Sequence, residues 1–209
     1  MRKITPKAMQ DLLGELKGVK EYPILSSLLL RSMQKAVYDH SNIGHFGLAS
    51  KCYTHFTSPI RRYPDTTVHR LLRTYLFNKS INADTIKYWE QKLAPLAAHT
   101  SERERASVDC EREVDDMKMA EYMEKHIDEE YTGIVSGVMS FGMFIELPNK
   151  IEGLVRIDDL KDDYYTYDES TFSLIGNKNK RGYRLGDEVK VIVKAASKIN
   201  HTVDFLIKK

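Results

Sequence analysis

The hydrophobic pattern of this chain changes its period at Tyr131, and this change constrains the fold more than any other feature. Before Tyr131, apolar side chains recur at the three- and four-residue spacing of an amphipathic helix. After it, apolar and polar residues alternate as in half-buried strands, with turn-forming residues between the alternating segments. The sequence therefore predicts an α+β chain with a helical domain over 1–130 and a strand-rich domain over 131–209.

The first domain contains several segments with helical periodicity. We predict helices over 24–38, 65–77 and 84–98. Pro95 is expected to bend or end the third helix, because proline cannot donate a backbone hydrogen bond. Ser101, followed by Glu104, has the pattern of a capping box and predicts the start of a fourth, long helix.

The second domain contains five short segments with the alternation of strands. They lie near 131–138, 142–147, 152–157, 188–195 and 202–207. Five short strands in about 80 residues are typical of a small closed barrel of the OB type. The segment 158–186, rich in tyrosine and acidic residues, is interpreted as a long connection between the third and fourth strands.

Composition excludes several classes of protein. The chain has 209 residues, of which 42% are hydrophobic and 30% charged, and this is typical of a soluble globular protein. No apolar run approaches the length of a membrane span. Cys52 and Cys110 have no partner at metal-ligand spacing, so neither a disulfide framework nor a zinc site is expected, and a reducing, cytoplasmic compartment is the simplest context.

Charge places a further condition on any binding to nucleic acid. The chain has 32 Lys and Arg against 30 Asp and Glu, and its net charge is only +2. Neither half is a polycation. Binding to a nucleic acid must therefore depend on local arrangement rather than on bulk charge.

Residues 54–65 read Thr-His-Phe-Thr-Ser-Pro-Ile-Arg-Arg-Tyr-Pro-Asp and form the most informative motif. A proline on each side restricts the backbone, so Arg61 and Arg62 are expected on a stiff corner. The forked donors of arginine match phosphate oxygens two at a time. Together with Ser58, the two arginines predict contact with a polynucleotide backbone. Solvated surface charge or a salt bridge is the alternative for such a pair.

The strand near 142–147 carries a second candidate surface. Alternation along a strand directs Phe144 and Ile145 to opposite faces, so Phe144 lies outside the barrel if Ile145 faces the core. An outward aromatic side chain offers a platform on which a base can stack. Phe141 and Arg156 are candidates for the same RNA-binding surface. Packing of Phe144 under the long connection is the alternative.

The strand-rich domain resembles the S-one-type RNA-binding domain, an OB fold. The segments that carry the resemblance are Gly-Ile-Val-Ser-Gly-Val-Met-Ser-Phe-Gly-Met-Phe-Ile-Glu-Leu, Glu-Gly-Leu-Val-Arg-Ile and Leu-Gly-Asp-Glu-Val-Lys-Val-Ile-Val. The match covers about 131–207. Arg156 stands where many members of this domain family carry histidine, and this departure affects one stacking contact rather than the fold.

The helical domain resembles the end of the catalytic domain in the ribonuclease II and ribonuclease R family. The carrying segments are Leu-Leu-Leu-Arg-Ser-Met (28–33), Gly-His-Phe-Gly-Leu-Ala (44–49), the motif at 53–65 with His69-Arg70, and Glu-Arg-Glu-Val (111–114). The resemblance implies part of a processive, magnesium-dependent exoribonuclease that degrades RNA from its 3′ end to nucleoside 5′-monophosphates.

The same resemblance implies roles for two residues. Arg61 matches the arginine that holds the scissile phosphate or stabilises its charge, and Glu111 matches a glutamate near the last nucleotide. Phe141, Phe144 and Arg156 would guide single-stranded RNA toward the catalytic channel.

The metal-binding part of such an enzyme has no counterpart in the sequence. A two-metal site needs clustered aspartates, and adjacent pairs such as Asp115-Asp116 and Asp158-Asp159 direct their side chains apart. His45, His55 and His69 are interpreted as packing or hydrogen-bonding residues. We therefore expect a C-terminal piece of a longer enzyme whose magnesium ligands lie outside this chain.

Several further expectations follow from that interpretation. The incomplete helical domain should expose apolar surface, and the chain alone should bind RNA without cleaving it. A monomer is expected, with a dimer through the exposed apolar surface as the alternative, and no membrane association. The alternative functions are a non-catalytic RNA-binding or ribosome-associated factor with a helical adaptor, and a module that acts on DNA.

Overall fold

The computed structural model describes residues 5–19, 22–178 and 180–208. The chain divides into two compact units, Met1–Asp109 and Cys110–Lys209, and this division falls inside one long helix. The predicted boundary at 130/131 follows the change of hydrophobic pattern instead, and it stays a prediction. The two units are described separately below.

The first unit is built from helices and a long irregular segment. Its helices are α1 (Pro6–Leu16), α2 (Tyr22–Ser32), α3 (Tyr63–Leu72) and the first part of α4 (Ala83–Met123). A π-helical turn, Arg73–Phe77, continues α3 without a break. Residues 33–62 contain no helix, and within them His45 and Ser50 form an isolated β-bridge.

Helix α2 ends earlier than its hydrophobic pattern predicts. The pattern continues to Tyr38, but the helix stops at Ser32. The backbone N–H of Tyr38 donates to the hydroxyl of Ser101 over 2.9 Å, rather than to a carbonyl one helical turn earlier. A contact between distant segments therefore replaces the helical hydrogen bond at this position.

Helix α4 runs through two predicted boundaries. Pro95 lies inside it, and the helix continues to Met123. Ser101 does not cap a new helix, because its hydroxyl donates to the carbonyl of Ala97 over 2.8 Å within the same helix. Pro95 thus does not end the helix, and whether it bends the helix stays a prediction, whereas the predicted capping box at Ser101 is wrong.

The second unit is a closed five-stranded barrel, as the sequence predicted. Its strands are β1 (Glu130–Met139), β2 (Gly142–Glu146), β3 (Glu152–Arg156), β7 (Glu188–Ser197) and β8 (Thr202–Ile207). The barrel closes in the order β1-β2-β3-β8-β7. Strands β3 and β8 pair in parallel, and the other neighbouring strands pair antiparallel.

The barrel encloses a continuous apolar core. Fully buried side chains from alternate strand positions meet inside it, among them Met143, Ile145, Val155, Val191, Val193 and Phe205. Ala120 and Met123, at the end of α4, join the same cluster. Burial of this apolar surface is the main stabilising contribution to the unit.

The segment between the third and fourth barrel strands is more ordered than predicted. It contains β4 (Tyr165–Asp168), β5 (Ser173–Gly176) and β6 (Gly182–Arg184), which form a three-stranded sheet. Tyr165 and Leu174 from this sheet belong to the apolar cluster of the barrel. The interpretation of 158–186 as a plain connection is therefore incomplete.

The first unit buries few side chains. Among its described residues, only Met9, Asp65, Thr67 and Ser101 are buried. Large apolar side chains such as Ile60 (101% exposed) and Phe77 (73% exposed) face solvent. The predicted exposure of apolar surface is confirmed. No helix in the described ranges is both long enough and apolar enough to cross a bilayer.

Candidate nucleic-acid interface

The buried carboxylate of Asp65 organises the corner that carries the two arginines. Asp65 is 0% exposed, and its Oδ1 accepts hydrogen bonds from the backbone N–H of Ser58 (2.7 Å) and from Nη2 of Arg62 (2.8 Å). Burial raises the pKa of Asp65, but the hydrogen bonds from Ser58 and Arg62 outweigh it and hold this pKa below its ordinary value of 3.8. The charged carboxylate therefore ties the loop to the first turn of α3.

The two adjacent arginines have different surroundings. Arg62 directs its guanidinium at Asp65, and its side chain is 22% exposed. Arg61 is exposed, and within the described part of the chain it forms no ion pair. The backbone N–H groups of Arg61 and Arg62 both donate to the carbonyl of Ser58, at 3.3 and 3.0 Å. The corner thus holds one guanidinium inward and leaves the other available to a ligand.

A network of aromatic and histidine side chains flanks this corner. The hydroxyl of Tyr38 and Nδ1 of His55 are 2.7 Å apart, and burial together with Glu104 raises the pKa of Tyr38. His69 lies 2.9 Å from the carbonyl of Phe56 and stacks on its ring at 4.6 Å. The interpretation of these histidines as packing and hydrogen-bonding residues is confirmed for His55 and His69. The role of Tyr38 was missed, since its sequence neighbourhood has helical periodicity.

Glu111 lies in a different compact unit from Arg61. It is an exposed residue of α4, and it forms no ion pair within the residues that the structure describes. Exposed glutamates in a helix are commonly solvated. The contacts of Glu111, like those of Ser58 and Arg62 with RNA, stay predictions.

The outer face of the barrel presents the predicted aromatic pair. Ile145 is fully buried, whereas Phe144 is half-buried, so the alternation along β2 is as predicted. Phe141 is 53% exposed. The two phenylalanine rings meet edge to face, with 6.2 Å between their centroids. This arrangement leaves aromatic surface open to a stacking base.

Gly142 allows this aromatic pair to form. Its φ is +155°, and a Cβ placed there would lie 2.2 Å from the carbonyl oxygen of Val155. Strands β2 and β3 therefore approach closely at this point, and only glycine fits between them. In the register of these strands Gly142 lies opposite Arg156.

Arg156 has a neighbouring carboxylate. One of its guanidinium nitrogens lies 3.6 Å from Asp204 on β8, and the arginine side chain remains 56% exposed. An exposed pair at this distance is weak, so it does not prevent the guanidinium from binding a phosphate. At the other end of this face are Glu146 and Glu152, which are paired in register, and with Lys150 bound to Glu146 this end carries one net negative charge. The charge distribution therefore favours an RNA strand near Arg156.

A metal centre requires a cluster of side chains that can bind a metal ion, such as His, Cys, Asp or Glu. In the residues that the structure describes, no group of three or more His, Cys, Asp or Glu side chains is placed to hold a metal ion. Two-metal catalysis needs several clustered carboxylates. The described residues therefore do not fit a catalytic metal pair.

Two family models match the chain in the order that the structure suggests. The RNB domain matches residues 2–78, and the S1 RNA binding domain matches residues 124–208. The first match includes the corner at Arg61, and the second includes the whole five-stranded barrel.

Curated relatives match over nearly the whole chain. Ribonuclease R 1 of Lactococcus lactis subsp. lactis is 49% identical over 202 residues, which are 97% of this chain and 25% of the relative. Ribonuclease R of Thermotoga maritima is 47% identical over 210 residues, which cover 98% of this chain and 29% of the relative. The chain thus spans less than a third of the length of these relatives.

Solved structures also match nearly the whole chain, and the chain again spans only part of each of them. Mycoplasma genitalium RNase R in complex with ribose-methylated single-stranded RNA has a TM-score of 0.90 and 31% identity, covering 99% of this chain and 32% of that one. Yeast Ssd1, described as a pseudonuclease, has a TM-score of 0.59 over 99% of this chain and 38% of its own. At 14% identity the likeness to Ssd1 shows the fold alone.

The fold and the matches together define an RNB–S1 chain, with an RNA-binding OB barrel after an RNB-domain segment. Within that class, the chain is similar over nearly its whole length to ribonuclease R of several bacteria. The resemblance drawn from the motifs at 53–65 and 133–147 is therefore confirmed.

Proposed function

We propose that this chain supplies RNA binding and phosphate recognition to a processive 3′-to-5′ exoribonuclease, and that alone it binds single-stranded RNA without cleaving it. The observation that carries the proposal is the outer face of the barrel, where the rings of Phe141 and Phe144 meet edge to face and Gly142, between them in sequence, lies opposite the exposed Arg156. The names of the relatives and the RNA bound to the Mycoplasma genitalium structure support it.

Arg61 is proposed to contact the scissile phosphate in the complete enzyme. Its neighbour Arg62 neutralises the buried carboxylate of Asp65, so the Arg61 guanidinium keeps its full charge for a ligand. A positioned guanidinium stabilises the charge that develops on phosphoryl oxygens during hydrolysis. We propose that Glu111 contributes near the last nucleotide, as its match to the family motif suggests.

The metal requirement limits what this chain does alone. Exoribonucleases of the RNB family depend on divalent metal ions, and in the complete enzyme we propose magnesium. Because the described residues do not fit a metal pair, no hydrolytic step is assigned to them. Their proposed contribution is to bind and orient RNA.

Binding to RNA is tested by Phe144→Ala. Loss of one stacking platform should weaken binding of a single-stranded oligonucleotide by roughly 5- to 150-fold, the equivalent of ~1–3 kcal/mol per stacked base. Fluorescence anisotropy with a labelled oligouridylate measures this change. Phe172→Ala is the matched control, because Phe172 is 46% exposed and lies in the turn between β4 and β5. Equal affinities for the wild type and Phe144→Ala would show that the face is not the RNA site.

Cleavage is tested separately. The purified chain is incubated with magnesium and labelled single-stranded RNA, and released nucleoside monophosphates are separated and counted. We expect no release above the background without protein. Processive release of monophosphates would contradict the proposed division of binding and hydrolysis.

A non-catalytic RNA-binding factor is the second candidate function. The same exposed aromatic and arginine side chains can bind RNA without any catalytic step, and a fold does not by itself determine function. In that case the phosphate contact by Arg61 would serve binding alone. Activity of the complete gene product on RNA with magnesium distinguishes this candidate from the exoribonuclease.

A further inference from the structure

A basic groove lies on the first unit next to the corner at Arg61, because the hydroxyl of its lining residue Thr66 donates to the carbonyl of Pro59 over 2.7 Å. It has a volume of about 550 Å³ and is formed by α3, the π-helical turn and the residue that follows. Six residues line it: Thr66, His69, Arg70, Arg73, Phe77 and Asn78. None of the six is acidic, and a volume of this size is typical of sites for small ligands or single nucleotides.

The π-helical turn shapes this groove. The backbone N–H of Asn78 donates to the carbonyl of Arg73 over 2.9 Å, which closes a wider turn than an α-helix has. Such turns often occur at functional sites. Here the turn places Arg73, Phe77 and Asn78 on the wall of the groove.

Two guanidinium groups supply the positive charge of the groove. Arg70 donates to the hydroxyl of Tyr63 over 3.1 Å, and its guanidinium carbon lies 5.6 Å from the centre of that ring. These contacts restrain Arg70 while leaving donors for a ligand. Arg73 is exposed, and among the described residues it forms no ion pair. No carboxylate in the part of the chain that the structure describes forms an ion pair with either arginine.

The groove also has an aromatic wall. Phe77 is 73% exposed, and His69 is fixed by its stacking on Phe56. An exposed phenylalanine beside two unneutralised arginines combines the two interactions that single-stranded nucleic acids use, stacking and phosphate pairing.

We propose that this groove is a second RNA contact, which holds one nucleotide with its phosphate on Arg70 and Arg73 and its base against Phe77. The inference rests on the proposed function, since it presumes that the chain binds RNA. It assigns to the first unit a binding site of its own, separate from the barrel face.

The experiment measures the affinity of the full chain for a labelled single-stranded oligouridylate over a series of salt concentrations. Each phosphate contact on a single strand contributes roughly 0.7 to the slope of log K against log salt. Because the two arginines hold one phosphate, Arg70→Ala/Arg73→Ala should weaken binding and reduce the slope by roughly 0.7. Phe77→Ala should weaken binding and leave the slope unchanged, because it removes stacking alone.

Arg105→Ala is the matched control, since Arg105 is an exposed arginine of α4 that does not line the groove. It should change neither quantity. If thermal unfolding shows that the double variant is not folded, Arg73→Ala is measured alone, and it should weaken binding and reduce the slope by less than roughly 0.7.

The outcomes separate this inference from the proposed function. An unchanged slope in the arginine variants, together with weakened binding by Phe144→Ala, would show that the groove does not bind RNA. The proposed binding at the barrel face would still hold. If none of these variants weakens binding, the groove and the proposed function are both wrong.

Discussion

At the scale of single residues, the most consequential contact is the one between Asp65 and Arg62. It determines which of two adjacent, chemically identical side chains is free for a ligand. The sequence predicts a stiff arginine corner, because the prolines restrict its backbone. It does not show that Asp65 is buried or that Ser58 and Arg62 share its Oδ1, since both contacts depend on how the loop folds back on α3.

The depressed pKa of Asp65 has a consequence that depends on pH. A carboxyl group whose folded pKa lies below its ordinary value of 3.8 stabilises the fold fully above that value, and the contribution is lost as pH falls through the folded pKa. We expect the amide resonance of Ser58 to titrate below 3.8, because its N–H donates to this carboxylate. NMR spectra recorded on lowering the pH measure this.

Asp65→Asn should abolish that titration and loosen the corner, since a neutral amide cannot pair with Arg62 as a charge. Asp84→Asn, at an exposed position in the first turn of α4, is the control and should leave the Ser58 resonance unaffected. A Ser58 titration that persists in Asp65→Asn would exclude Asp65 as its cause.

At the scale of elements, the close approach of β2 and β3 at Gly142 positions the proposed RNA-binding face. A methyl group there would meet the carbonyl oxygen of Val155 at 2.2 Å, and backbone atoms cannot move aside as a flexible side chain does. Gly142→Ala should therefore lower the free energy of unfolding by ~1–3 kcal/mol or more, as overpacking generally does. Thermal or denaturant unfolding of the barrel measures this loss.

Gly137→Ala is the matched control in the same barrel. Its Cβ would meet the ring of Phe144 at 3.4 Å, which is an ordinary contact. We expect little change in stability. If both variants unfold at the same temperature as the wild type, the close strand approach at Gly142 does not limit the fold.

The sequence predicts the barrel better than it predicts the helices. All five predicted barrel strands are present, because apolar residues largely alternate with polar ones along them and turn residues separate them. The helix boundaries at Pro95 and Ser101 are wrong for a physical reason. Propensity and capping patterns are local, and here tertiary contacts such as that of Ser101 with Tyr38 decide instead.

The small sheet of β4, β5 and β6 could not be predicted from an alternation of apolar and polar residues. In β5 the buried residues are Ser173, Leu174 and Gly176, so polar and small side chains face inward and no period of two results. Tyr165 is buried, and its hydroxyl donates to Asp162 over 3.1 Å. The acidic residues beside the tyrosines made this segment look like a loop in the sequence. In the structure, however, Tyr165 is part of the core.

At the scale of the whole molecule, the two units differ in how much they bury. The second unit encloses a continuous core with fully buried residues such as Phe205 and Ile145. The described residues of the first unit bury little, and apolar side chains including Ile60 and Phe77 face solvent. The chain spans 25% and 29% of the two curated relatives described above. Whether the chain is a monomer or pairs through its apolar surface stays a prediction.

Because the two units differ in burial, we propose that they contribute to RNA binding in different ways. A well-packed barrel holds its outer face in a fixed geometry, which favours binding by a preformed surface. The first unit contributes charged side chains, Arg61 on the corner and Arg70 with Arg73 in the groove. The central claim is that the barrel face at Phe141, Phe144 and Arg156 receives single-stranded RNA.

The most direct test is an NMR titration of the isotope-labelled full chain with a single-stranded oligouridylate. We predict that the amide resonances of Phe141, Phe144 and Arg156 shift on binding, while those at the acidic end, Glu146 and Glu152, shift little. Saturation of binding without any shift at Phe141, Phe144 and Arg156 would contradict the claim.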